Sequence, residues 1–155
     1  MNKKILPLVA VSLAVLAGLT CADKSLQAQD ASGEPKQLVE AYELMSLFFG
    51  PLQEQMKAGL ATPPADRKAW RNIFDTALKI GEVHNLLYSR TGEDYMGTED
   101  WKKLTAAGRD SAVAIAEAVK TQDFPKVQAG YTAMIESCNA CHKKFQGDEP
   151  EIVEP

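Results

Sequence analysis

Near its C-terminus the chain reads Cys138-Asn139-Ala140-Cys141-His142, followed by Lys143-Lys144-Phe145. No other stretch constrains so tightly what the chain can fold into. CxxCH is the attachment sequence for a covalently held haem. Two intervening residues set the sulfurs about one helical turn apart, so one short segment reaches both vinyl groups of a porphyrin. The adjacent histidine then offers its imidazole to the iron as the proximal ligand. A bare CxxC also suits a redox dithiol or half of a zinc site. A dithiol of that kind belongs in a βαβ setting, and the sequence contains none. A zinc site needs about four ligands, and the other cysteine and histidine are Cys21 and His84. A disulfide across the motif would be strained and would leave His142 without a role. The reading is haem c, one per chain, with Cys138 and Cys141 as thioethers and His142 on the iron.

The start of the chain gives an address. Met1-Asn2-Lys3-Lys4 is basic, and Ile5 to Leu19 is almost wholly apolar. That is a signal-peptide pattern, too short for a comfortable membrane span. Cleavage after Ala28 is preferred to cleavage after Ala22, and Leu19-Thr20 ahead of Cys21 fits a lipoprotein signal poorly. Residues 1–28 therefore read as a signal peptide and residues 29–34 as a flexible start. A periplasmic address agrees with the motif, because covalent haem attachment in bacteria is completed outside the cytoplasmic membrane. The chain of 155 residues allows one domain after cleavage. Its formal charge is −4, and loss of Lys3, Lys4, Lys24 and Asp23 makes the remainder two charges more negative. Nucleic acid is excluded as a partner, since phosphate binding needs clustered Lys and Arg. A basic or mixed redox partner protein remains, reached by electrostatic steering.

Apolar periodicity predicts four helices. The first runs from about Pro35 to Lys57, with Leu38, Tyr42, Met45, Phe49, Leu52 and Met56 on one stripe. Gly50-Pro51 interrupts it and predicts a kink near Phe49. After a turn at Gly59 to Pro64, the second runs from about Ala65 to Ser89, with Trp70, Ile73, Phe74, Ala77, Ile80, His84, Leu87 and Tyr88 inward. Thr91 to Gly97 reads as a loop. Thr98 caps a third helix that ends near Thr121 and carries Trp101, Leu104, Ala107 or Gly108, Ser111, Ile115 and Ala118 or Val119 inward. Asp123 caps the fourth, which carries Val127, Tyr131, Met134, Ile135, Cys138, Cys141 and Phe145 inward and stops at Gly147. Residues 148–155 hold four acids and two prolines and read as an acidic disordered tail. The expected fold class is all-α: an antiparallel four-helix bundle over residues 35–147, with covalently attached haem near the C-terminus.

At this point the chain resembles the cytochrome c′ family, the class II c-type cytochromes. The matches are Cys138 to Phe145 on the last helix, and Tyr42-Glu43-Leu44-Met45 with Phe49-Gly50 on the first. The resemblance runs from Gln37 to Phe145. Two departures stand out. Gln146 follows Phe145 where many members have arginine, and the first helix lacks the early arginine that lies near a haem propionate, Lys36 being the nearest candidate. The resemblance implies two outcomes for the distal face of the iron. Low-spin members ligate it with a first-helix methionine, here Met45; high-spin members cover a vacant face with a bulky residue, here at Tyr42. His84 on the second stripe is a third candidate, giving bis-histidine ligation. Met45 and Tyr42 also read as ordinary core residues, and His84 as a buried helix histidine.

Two function classes follow. The first is a periplasmic monohaem c-type cytochrome acting in one-electron transfer. The second is a five-coordinate haem protein binding nitric oxide or carbon monoxide, so that a diatomic gas is a possible ligand. An accessory haem module of a larger oxidoreductase is a third. Enzymatic catalysis is not expected, since no nucleophile–base pair, phosphate loop or carboxylate-rich metal motif is present. The resemblance also implies a possible homodimer through the first two helices.

Overall fold

Residues 36–148 and 152–155 are described by the computed structural model. The expected signal peptide and flexible start, and Pro35, lie outside these residues. The described chain is all-α, with no strand among these residues. The first rod is α1 (Ala41–Leu44), a π-helical stretch (Met45–Phe49) and α2 (Gly50–Leu60) in direct succession. Three long helices follow, α3 (Arg67–Tyr88), α4 (Glu99–Lys120) and α5 (Phe124–Phe145), and complete an antiparallel four-helix bundle.

The helix ends follow local chemistry. Asp66 accepts the Ala69 N–H at 2.8 Å, Thr98 Oγ1 the Trp101 N–H at 3.3 Å, and Asp123 the Lys126 N–H at 3.2 Å. Each satisfies a first-turn donor that has no intrahelical partner. Gly147, at φ +83°, follows the end of α5 in the left-handed region that glycine enters without strain. The first helix starts at Ala41 rather than near Pro35. Glu43 Oε2 accepts the Glu40 N–H at 2.8 Å and draws the start to that point. Gln37 and Thr91 exchange side-chain-to-backbone bonds of 3.2 and 3.3 Å, which tie the entry of the first rod to the exit of α3.

The interruption expected near Phe49 is the π-helical stretch. Pro51 has no N–H to donate and its ring crowds the carbonyl four residues back. The chain relaxes by widening one turn, and the Gly50 N–H bonds Met45 O, five residues behind. The wider turn changes which residues face inward. Leu44, Met56 and Leu60 are buried and Phe49 and Leu52 half-buried. Five residues separate Leu44 from Phe49, one more than an α-turn spans. The expectation that Leu38 and Tyr42 belong to the inward stripe is thereby corrected. Leu38, 87% exposed, lies ahead of the helix that starts at Ala41, and Tyr42 is 79% exposed because a stripe drawn at constant α-helical spacing loses phase across the π turn.

The core consists of two apolar clusters. The larger joins Met56, Leu60, Ile73, Ala77, Ile80, Ile115, Val127, Tyr131, Met134 and Ile135, from all four rods. The smaller joins Leu44, Val83, Leu87 and Trp101. Each fully buried aliphatic or aromatic side chain contributes about 1.5–3 kcal/mol. Tyr95 and Met96, expected in a plain loop, pack on the smaller cluster, and the Tyr95 ring stacks on Phe145 at 4.8 Å. Within the tail, the described residues 152–155 make specific contacts. Asn139 exchanges two hydrogen bonds with the Val153 backbone, 3.0 and 2.7 Å. Val153 packs against the larger cluster. Gln53 Nε2 donates to Glu154 O at 2.9 Å and to Tyr131 Oη at 3.1 Å. A side-chain amide matches a backbone peptide in donor and acceptor, so acidic composition alone did not decide the conformation of these residues.

Candidate haem site

Cys138, Cys141 and His142 all lie in the last two turns of α5, near the bundle end formed by the entries of α1 and α4. Lys144 Nζ meets Asp100 at 2.9 Å and links that end of α5 to the first turn of α4. Phe145 sits edge-on to Trp101 at 5.5 Å. Trp101 is buried, and its indole N–H donates to Leu87 O at 2.9 Å. The aromatic group of Tyr95, Trp101 and Phe145 thus holds the attachment segment against α3 and α4.

The two cysteines face different parts of the core. Cys138 packs against the larger cluster and Cys141 against the smaller. Phe49 and Leu52 of the first rod border both clusters, so the sulfurs flank an apolar seam bounded by α5 and the first rod. Both thiols are free and half-buried. Burial pushes each up to about 11; at Cys138 the charge of Cys141 adds to it. His142 is buried, 9% exposed, one position beyond Cys141. Two thiols one turn apart, an imidazole beside them and an apolar seam between them form a donor set that suits a covalently held porphyrin. Among the described residues no three His, Cys, Asp or Glu side chains converge to hold a bare metal ion.

The candidates for the other iron face separate. Met45 is half-buried and packs on the smaller cluster, the same one that Cys141 borders. Tyr42 lies on the outward side of α1. His84 is buried, 6% exposed. Its Nδ1 is 2.9 Å from Ile80 O, one turn back on α3, and its ring stands edge-on to Phe49 at 4.6 Å. Its Nε2 fills a notch in α4 that exists because residue 108 is glycine. Burial lowers its pKa to about 4, the Ile80 carbonyl opposes this, and the charge of Arg109 adds to the lowering. These features describe a neutral histidine packed between α3 and α4.

Three participants escape a reading by periodicity. Leu44 is buried but off the α-helical stripe; the sequence signal for it is the phase change that Pro51 imposes. Asn139, between the cysteines, engages the tail through the amide pair that no spacing rule announces. Arg90, just beyond α3, is buried at 9% exposed with its Nε lacking a hydrogen-bond partner among the described residues. A charged residue at a helix exit ordinarily reads as solvated.

Comparison with curated proteins finds none that matches the chain. The family model described as Cytochrome C' matches residues 93–146. That span contains α4, the aromatic group, α5 and the whole attachment sequence, and its match supports a c-type cytochrome haem protein. The resemblance seen in the sequence is borne out over this span: residues 93–146, which include Cys138, Cys141 and His142, match the cytochrome c′ family model.

Proposed function

We propose that this protein is an exported, periplasmic one-electron carrier with a single haem c. The observation that carries the reading is the placement of Cys138 and Cys141 on either side of an apolar seam, with buried His142 beside them. Cys138 and Cys141 would hold the haem on α5 through thioethers to its vinyl groups, and His142 would ligate its iron. When bound, the haem iron supplies one-electron chemistry between its ferric and ferrous states. Leu44, Phe49, Leu52, Val83 and Leu87 supply apolar surface that excludes water and so disfavours the more highly charged ferric site.

Met45 is the proposed sixth ligand. It shares the smaller cluster with Cys141, whereas Tyr42 is turned to the surface and His84 is committed to Ile80 and the Gly108 notch. A thioether ligand raises the potential and gives the six-coordinate low-spin iron that suits electron transfer. The export reading rests on the apolar N-terminal stretch; among the described residues no helix is long and apolar enough to cross a membrane. The optical spectrum of the reduced protein, with and without carbon monoxide, tests the proposal. A sharp low-spin spectrum unmoved by the gas, and lost in Met45→Ala, is expected. A broad high-spin spectrum with ready carbon monoxide binding rejects Met45 ligation and favours the gas-binding function.

A further inference from the structure

Arg90 presents a charge with no partner. It is 9% exposed, and its Nε has no hydrogen-bond partner among the described residues. No carboxylate among those residues forms an ion pair with it. A buried N–H donor left without an acceptor is costly unless something else supplies one.

Its position indicates what that is. The Arg90 N–H donates to Leu87 O at 3.0 Å, and the same carbonyl accepts the Trp101 indole N–H at 2.9 Å. Leu87 and Trp101 belong to the smaller cluster, on which Met45, Cys141 and Phe145 pack. The backbone of Arg90 therefore lies at the edge of the apolar region that Cys141 borders. A haem held at Cys138 and Cys141 would carry two propionate carboxylates, and Arg90 would offer one of them a donor at the edge of this region. A carboxylate is the anion that the planar fork of arginine binds best, through two parallel charge-assisted hydrogen bonds. We propose that Arg90, at the exit of α3, anchors a haem propionate, an inference that rests on the haem reading above.

Resonance Raman spectroscopy of the holoprotein tests it through the propionate bending band, which responds to hydrogen bonding at the carboxylate and not to general stability. Wild type, Arg90→Leu, Arg90→Gln and Arg90→Lys are compared, with Arg71→Leu as a control, since Arg71 pairs with Asp75 at the surface. Covalent haem is first confirmed in each by the pyridine haemochrome spectrum. The expected result is a band shifted in Arg90→Gln and Arg90→Leu, partly restored in Arg90→Lys and unmoved in Arg71→Leu. If Arg90→Leu fails to accumulate, the glutamine and lysine variants carry the comparison. Covalent haem with a band identical in wild type and Arg90→Gln overturns the Arg90 assignment alone. Absence of covalent haem from wild type overturns the haem reading and this assignment with it.

Discussion

Gly108 is where α4 comes close enough to α3 to receive the His84 ring. A Cβ at this position would overlap His84 Nε2, and the ring cannot swing away because it is buried against Phe49. Gly108→Ala gains helix propensity of about 1 kcal/mol but forces an overpacked core, typically a cost of 1–3 kcal/mol. The expected outcome is a net loss of stability in urea unfolding, largely recovered in the double variant Gly108→Ala/His84→Ala. His84 also sets an acid limit. Its folded-state pKa is about 4, below the unfolded value of about 6.5. Between those values the unfolded chain binds more protons, so stability is level above roughly pH 6.5 and falls as the pH drops toward 4. The full effect is about 3 kcal/mol. Unfolding midpoints between pH 7 and 4.5 should fall more steeply for wild type than for His84→Gln.

Among the elements, the helix starts were legible because caps are local chemistry. Asp66, Thr98 and Asp123 each accept a backbone N–H of the first turn, and two of these, Thr98 and Asp123, are evident from residue type and spacing alone. Asp66→Ala, Thr98→Ala and Asp123→Ala should each cost about 1 kcal/mol in denaturant unfolding. These sites are far apart, so a triple variant should lose close to the sum. The first rod was less legible. Gly50-Pro51 announced an interruption, but not that it would be a π turn rather than a kink. The difference decides which residues face inward: Leu44 replaces Tyr42 at the core while Phe49, Leu52 and Met56 keep their places. The tail shows the opposite failure, since composition speaks for disorder while two specific amide bonds from Asn139 hold Val153.

For the whole molecule, period and turn chemistry were enough for a four-helix bundle, because four long amphipathic segments joined by short loops have few other ways to bury their faces. The attachment sequence was legible because its chemistry is contained in five consecutive residues. The opposite side of the site was not, since it depends on the phase of the first rod and on close approaches such as that of His84 to Gly108. The central claim is that Cys138 and Cys141 hold a haem covalently. It is tested most directly by the intact mass of the denatured protein, produced with cytochrome c maturation factors and extracted with acidified acetone. The expected result is a polypeptide heavier by one haem, with the added mass located by digestion to the peptide containing Cys138 and Cys141. A polypeptide of unmodified mass, with all haem in the acetone phase, would contradict it.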